Sequence, residues 1–433
     1  MAVVCTRPGA KGKVYLSANE CAEAYPGDRA IRERLDSLTR STQLSVPREP
    51  IITDAKNCCW TYLYGLTTFG DLFLGRQLIC LLSFAAAVRE VEAATSHYSP
   101  EHRAAIITCL ACWVNRLADF ESTLCTLKPG GERGVVHSFT RQAIPMVWDC
   151  AEANPFGTDS ANARGLLEYL VSALESAEGT GQPAVVNRGS ATSLPWESGS
   201  FDAVVTDPPY YDNIAYADIS DFFYVWFRRT IGHLHPEHFA SDGTPKKAEV
   251  VADATRYGGS RDQARRAYEA MMAQCFREAH RVLKRDGPMV VVYAHKTTLG
   301  WATLVDALRV AGFTVTEAWP LDTEMKSRLR GMDSAALATS IFLVARKLEG
   351  TKTGRYEDEV SPELEAIVRE RVVTLWDLGI SGADLVIACV GAGLRAFTRF
   401  ARVEFANGEE VPAKRFLTEV ETAVLESILA RLS

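Results

Sequence analysis

The chain has 433 residues, of which 47% are hydrophobic and 23% charged, with a net charge of −7 and eleven cysteines. That is the composition of a globular protein long enough for two or three cored domains. The longest apolar run, roughly Leu78 to Val88, is too short to span a bilayer. The opening MAVVCTRPGAKGKVYL lacks the apolar core of a signal peptide, so neither a membrane nor an exported protein is expected.

An odd number of scattered cysteines without a secretion signal points to the reducing cytoplasm. The only CxxC, Cys109 and Cys112, falls inside an amphipathic helix. A zinc site needs about four ligands and none follow nearby, so buried thiols and no metal are expected. The acidic total argues against an overall nucleic-acid footprint. Two basic patches survive it: Lys246-Lys247, and RYGGSRDQARR with Arg256, Arg261, Arg265 and Arg266. They are read either as DNA contacts or as a solvated loop and helix start.

Residues 1 to about 180 read as mostly helical, with helical periodicity over 76–94, 101–120 and 161–176. Ser99 is the expected N-cap of the second of these, with Pro100 in its first turn. From about 183 the pattern changes. PAVVNRGSA reads as a short strand and SFDAVVTDPP as another, followed by a helix in ISDFFYVWFRRTIG. A polar loop runs from Gly232 to about Gly259. DQARRAYEAMMAQCFREAHRVLKRDG is a helix expected to close at Gly287. PMVVVYAH is a strand, WATLVDALRVAG a helix, and FTVTEAWPL and TSIFLVARK two further strands that suit an antiparallel end to the sheet. A polar linker, EGTKTGRYEDEVS, then leads to helices over 361–433, where Gly379–Gly393 is expected to pack small residues against a helix. The organisation expected is therefore a helical region over 1–180, an α/β core over 181–348 with a largely parallel sheet covered on both faces, and a helical tail over 349–433.

In open parallel sheets ligands bind beyond the carboxyl ends of the strands. Asp207-Pro208-Pro209-Tyr210 follows a strand there, and its chemistry suits methylation of an exocyclic amine. The lone pair of adenine N6 is delocalised into the ring. Acceptors on both N–H bonds would localise it, and the Asp207 carboxylate and the Pro208 carbonyl can serve. The two prolines restrict the backbone and so hold that carbonyl in one direction. Tyr210 offers a ring on which an extruded base can stack. The bland alternative is that Asp-Pro-Pro merely ends a strand. After the preceding strand, Gly189, Ser190 and Ala191 occupy the neighbouring loop. Ser190 is a candidate hydrogen-bonding partner for a cofactor's adenine, with Leu194 and Trp196 as apolar cover.

TDPPYYDNIAYADISDFFYVWFRR resembles the motif IV region of the large bacterial adenine-specific DNA methylases that carry a DUF1156 domain and a zinc ribbon. The likeness continues in YGLTTFGDLFLGRQL, FTRQAIPMVWDCAEANPF, HRVLKRDGPMVVVYAHK, WPLDTE and GADLVIACVGAG, and so covers most of the chain. It implies a Rossmann-like sheet and N6-adenine methylation of DNA with S-adenosylmethionine (SAM) as donor. Restriction-modification or phage defence would be the setting. Asp207, Pro208, Pro209 and Tyr210 match the catalytic tetrad, and Tyr211 and Asn213 would extend the pocket wall. The DNA contacts would be Lys246, Lys247, Arg256 and Arg261. FGDLFLGRQL is similar to the family's motif X, which touches the cofactor, and makes Phe73 a cofactor candidate; Leu74-Gly75 stand where that motif has Thr-Pro.

The chain departs from the family in three respects. It has no upstream DPFxGxG loop, no acid after a second strand and no zinc-ribbon cysteines. LKPGGERG and CVGAG are the nearest glycine-rich stretches. The likeness is therefore to the C-terminal half of the family, and a separately encoded half carrying the glycine loop is the expected partner beside DNA. Two alternatives are a non-catalytic split subunit that binds nucleic acid or a partner, and a methyltransferase acting on RNA or a protein amide.

Overall fold

In the computed structural model the described residues are 2–5, 13–17, 19–52, 58–128, 134–158, 161–179, 181–211, 214–293, 298–322, 339–380 and 382–432. They form a mixed α/β protein in two compact units, one of Met1–Ala184 with Ala215–Glu249, the other of Val185–Ile214 with Val250–Ser433.

Among the described residues the first unit contains five α-helices: α1 (Asp28–Thr42), α2 (Gly75–Ala94), α3 (Pro100–Phe120), α4 (Ala163–Ala177) and α5 (Tyr216–Ile231). Its two short antiparallel ladders pair β1 (Ala2–Cys5) with β2 (Val14–Ser17) and β3 (Thr126–Leu127) with β4 (Val135–Val136). The expected cap of α3 is made: Ser99 Oγ accepts from the His102 amide at 3.3 Å, removing one of the unpaired donors at the helix start. α5 buries Phe222, Val225 and Trp226, and Phe73 packs against its rings, 5.6 Å from Phe222 and 5.3 Å from Trp226. Arg229 on the same helix makes a two-pronged bond to Glu49, Nη1 to Oε1 at 2.9 Å and Nη2 to Oε2 at 3.1 Å. Both are buried, so each charge needs the other to offset its lost hydration.

The second unit holds a four-stranded sheet of β5 (Val204–Thr206), β6 (Met289–Tyr293), β7 (Phe313–Asp322) and β8 (Thr339–Lys347), in the order β5-β6-β8-β7. β5 and β6 are parallel, and β8 runs antiparallel to both β6 and β7; the antiparallel end is as expected, but with two of three pairings antiparallel the sheet is mixed and not the largely parallel one expected. Met289, Val291 and Tyr293 are buried and pair across with Ala345, Leu343 and Ile341, also buried. The intervening residues are half-buried, so one face of the sheet is the better covered, where cover on both had been expected.

Helices α6 (Arg261–Val282), α7 (Thr298–Val310), α8 (Ser361–Asp377), α9 (Gly382–Thr398) and α10 (Ala413–Leu432) complete this unit, with a two-stranded parallel ladder of β9 (Thr353–Arg355) and β10 (Arg402–Glu404) that the sequence did not reveal. α9 lies on the sheet. A Cβ on Gly391 would stand 3.0 Å from Ala318 Cβ, and one on Gly393 would stand 2.9 Å from Leu364 Cδ1. The small residues of GISGADLVIACVGAG thus approach strands as well as a neighbouring helix.

Two further expectations fail. Residues 183–190 form no strand, and Val185 and Val186 are 82% and 88% exposed. A strand needs a neighbouring strand for its backbone groups, and among the described residues no strand is laddered to this stretch. The other concerns α6, which closes at Val282 and not at Gly287. Leu283 turns extended, and residues 201 and 283 form a parallel bridge. Gly287 serves the next turn, donating to Lys284 O at 3.1 Å. Any Cβ there would meet Asp202 O at 2.6 Å.

Candidate functional site

β5 ends where its pairing with β6 ends, at Thr206↔Val291, and the chain leaves the sheet through Asp207-Pro208-Pro209-Tyr210. Asp207 is exposed, Pro208 buried, and Pro209 and Tyr210 half-buried. Among the described residues no hydrogen bond or ion pair occupies the Asp207 carboxylate or the Pro208 carbonyl. The next carbonyl is occupied. Pro209 O accepts from the Tyr268 hydroxyl at 2.8 Å and from the Tyr211 amide at 3.2 Å. The same Tyr268 oxygen accepts from the Tyr211 amide at 3.1 Å.

This clamp holds an unusual backbone. Tyr211 has φ of 50°, a left-handed conformation that costs a non-glycine residue roughly 1–2 kcal/mol. It is held from three sides: by the Tyr268 hydroxyl, by the Tyr268 ring at 5.3 Å and 81°, and by the Ala252 amide donating to its carbonyl at 3.0 Å. Burial pushes the Tyr268 phenol up to about 12, so the group stays a neutral donor. Tyr210 packs edge-to-face on Tyr293 at 5.1 Å and 77°. Tyr293 is itself fixed by Trp301 at 5.2 Å and by donating to Gly300 O at 3.0 Å. Burial raises the Tyr293 phenol too, with the neighbouring phenols of Tyr268 and Tyr210 adding to it.

The loop after residue 189 is fixed to α6. The Leu194 amide donates to Glu278 Oε2 at 2.8 Å, while Arg281 donates to Trp196 O at 2.7 Å and to Leu194 O at 2.9 Å. Arg281 and the Leu194 amide together hold the Glu278 carboxyl down at about 2. Ser190 Oγ lies 2.7 Å from Thr192 Oγ1 and accepts from the Thr192 amide at 3.2 Å. Nothing lies within 4 Å of the Cβ position of Gly189, Ala191 is exposed, and Leu194 and Trp196 are half-buried. These bonds tie residues 190–196 to one another and to α6.

SAM is the donor that the resemblance implies, and a site for its methionine end would have its own requirement. Close approach of a backbone to that end calls for a glycine-rich strand-to-helix turn. In LKPGGERG, Gly130 and Gly131 lie outside the described residues, while Gly134, at φ 107°, accepts from the Lys128 amide between the antiparallel β3 and β4. CVGAG lies within α9, where its glycines serve packing. Among the described residues no glycine-rich strand-to-helix turn is found.

The remaining candidates divide between the units. Phe73 in the first is 6% exposed and, besides its contacts with α5, lines a cavity of about 720 Å³ together with Arg48, Gly65, Thr68, Gly70 and Asp71. Lys246 is engaged by the buried Asp221, Nζ to Oδ2 at 2.5 Å, and Lys247 is exposed. In the second unit Arg256 faces Asp253 at 3.6 Å and Arg261 is exposed at the start of α6. Asn213 lies outside the described residues. Among the described residues no cluster of His, Cys, Asp and Glu is suited to a metal ion, and no helix is long and apolar enough to cross a membrane.

Comparison with protein-family models, curated proteins and solved structures finds no match to this chain. The site therefore stands on its own geometry. Two of its members, Tyr268 and Tyr293, are not distinguished by the sequence. Both fall on positions that read as ordinary core of a helix and a strand.

Proposed function

We propose that the chain carries the target-base half of an adenine-N6 DNA methyltransferase, with SAM as the methyl donor. The observation that carries this reading is the pattern of claimed and unclaimed acceptors at the end of β5. Asp207 and the Pro208 carbonyl are left open, while the next carbonyl is clamped by Tyr268 and the Tyr211 amide. An exocyclic amine donating to both open acceptors has its lone pair drawn out of the ring and aimed. The clamp beyond them reduces the reorganisation this needs, which is where such sites gain most of their effect. Tyr210, braced by Tyr293, supplies the stacking ring. The strand-end position of all four groups in an open α/β sheet adds support, as does the fixed shelf over residues 190–196.

Duplex DNA is the substrate on this reading, with Lys247 and Arg261 as the exposed phosphate contacts. The test is transfer of labelled methyl from SAM to unmethylated duplex DNA, RNA and protein by the chain in its native assembly, with N6-methyladenine read by mass spectrometry. Asp207→Ala should lower transfer about a hundredfold or more and leave the fold intact, since the carboxylate is exposed. Full activity in folded Asp207→Ala, or label only in RNA or protein, would overturn the proposal.

A further inference from the structure

At the carboxyl end of α3 one buried carboxylate organises two side chains that the methyl-transfer reading does not use. Asp119 is buried, and its Oδ2 accepts from Arg116 Nη1 at 2.5 Å and lies 3.2 Å from His137 Nδ1. The Phe139 amide donates to Oδ1 at 3.3 Å. A carboxylate can only accept, so the proton of the His137 ring sits on Nδ1 and its lone pair on Nε2.

Phe120 steadies both side chains from another direction. The Arg116 guanidinium carbon stands 4.7 Å from the centre of its ring, and the His137 imidazole 5.7 Å. Each is thus held at two points, and neither is saturated. Arg116 is 49% and His137 35% exposed. Among the described residues Arg116 Nε and Nη2 and His137 Nε2 make no hydrogen bond or ion pair.

The end of a helix repels an anion, but here that effect is offset in place. The Asp119 carbonyl accepts from the Ser138 amide at 2.8 Å, the Ser138 hydroxyl at 2.7 Å and the Cys125 thiol at 3.4 Å. Arg116 counters the Asp119 charge. What remains toward solvent is a fork of N–H donors beside an imidazole lone pair.

That pair has a chemical complement. The fork takes an anionic oxygen, and the lone pair takes a hydroxyl proton. A phosphate monoester offers both, since its second pKa, about 6, is close to the usual value for an imidazole. Whichever partner carries the proton, one hydrogen bond joins the phosphate oxygen to Nε2. A phosphodiester or a sulfate holds no such proton near neutral pH.

We infer that Arg116 and His137 form a binding site for a phosphate group with an ionisable proton, either free phosphate or the terminal phosphate of a nucleotide chain. Asp119 and Phe120 hold the pair in position. The inference stands apart from the methyl-transfer reading, because it uses no residue of that site.

The test is equilibrium dialysis of the full chain at neutral pH against labelled inorganic phosphate. Competitors are phenyl phosphate, dimethyl phosphate, sulfate, and an oligonucleotide with and without a 5′-phosphate. Saturable binding is expected, displaced by phenyl phosphate, with dimethyl phosphate and sulfate weaker by about tenfold or more for the lost charge-assisted bond. Stronger displacement by the 5′-phosphorylated oligonucleotide than by free phosphate assigns the site to nucleotide ends, and the reverse order assigns it to the ion; either supports the site. His137→Gln should bring phosphate and sulfate to the same affinity. Arg116→Lys, which keeps a cation for Asp119, should weaken phosphate about tenfold or more. Melting curves show that both variants are folded. Carbethoxylation of His137 in the unmodified chain, read by peptide mass spectrometry, needs no substitution: phosphate should slow it and equal sulfate should not. Absence of saturable binding, equal affinity of the unmodified chain for phosphate and sulfate, or no protection of His137 would overturn the inference. So would unimpaired binding by folded Arg116→Lys, or a preference for phosphate that survives in folded His137→Gln.

Discussion

Replacing Tyr268 by Phe removes one oxygen and leaves the ring contact with Tyr211 in place. That oxygen donates to Pro209 O and accepts from the Tyr211 amide, so two hydrogen bonds are lost at a residue only 1% exposed. Each is worth roughly 0.5–1.5 kcal/mol net, giving about 1–3 kcal/mol in all. The lower end applies if the Tyr211 amide keeps its 3.2 Å contact with Pro209 O. Because the clamp holds Tyr211 at positive φ, the loss should appear locally as release of residues 207–211. Hydrogen exchange of the Tyr211 amide should accelerate about ten- to a hundredfold, and methyl transfer should fall while the rest of the chain keeps its protection. The effect also has a pH signature. The folded-state phenol is raised from 10.0 to about 12, so its stabilisation is complete below pH 10 and is lost as pH rises from there through about 12. The gap in urea midpoint between wild type and Tyr268→Phe should therefore close over that range. Unchanged exchange at Tyr211, with equal midpoints at neutral pH, would show that the hydroxyl holds nothing and would remove the argument for a braced site.

Tyr210→Phe should retain most transfer, since the ring and its contact with Tyr293 survive, whereas Tyr210→Ala should lose about 1–3 kcal/mol of base binding; equal losses in gel-shift titrations of the two would point to the hydroxyl instead. Lys246→Ala should destabilise the first unit by roughly 3–5 kcal/mol, because the buried Asp221 loses its cation. Lys247→Ala should leave the melting curve unchanged and weaken DNA binding in a salt-dependent way; the reverse pattern would reassign the two lysines. Glu121 is 1% exposed, one of its oxygens has no partner, and burial raises its carboxyl from 4.5 to about 8, with Glu152 adding to the shift. Its penalty is absent below pH 4.5, grows as pH rises and is complete above about 8, so Glu121→Gln should gain stability progressively over that span, on the order of 5 kcal/mol by pH 9. A gain independent of pH would mean that the carboxyl is hydrated in the native state.

Where periodicity and capping agree, the helices follow the sequence closely. α3 begins at Pro100 behind Ser99, as its N-cap chemistry requires. The strands were legible as apolar runs, but pairing is not a local property. PAVVNRGSA has the composition of a strand and yet forms none, because what decides the matter is a neighbour that none of the described residues provides. Gly287 misled for a related reason. Glycine after an apolar helix usually marks its end, but here α6 stops earlier so that Leu283 can be buried and the chain can bridge to residue 201. β9 and β10 escaped notice as three-residue strands whose partners lie far apart in sequence.

The site was legible where its chemistry lies in contiguous residues and illegible where it depends on support from elsewhere. Asp207 to Tyr210 stands out because an acid and two prolines interrupt an apolar run. Nothing local separates Tyr268 from the other buried positions of α6, or Tyr293 from the valines before it, since a hydroxyl's value depends on what it reaches across the fold. The clamp joins residues 209, 211 and 268, and the brace joins 210, 293 and 301. Lys246 is the converse case. By composition it belongs with Lys247, yet Thr244 and Lys246 converge on the buried Asp221 of α5, so its charge is committed to holding a loop. A basic dipeptide on the sequence thus becomes one structural and one exposed cation, and only the second retains the hydration and reach that phosphate binding requires.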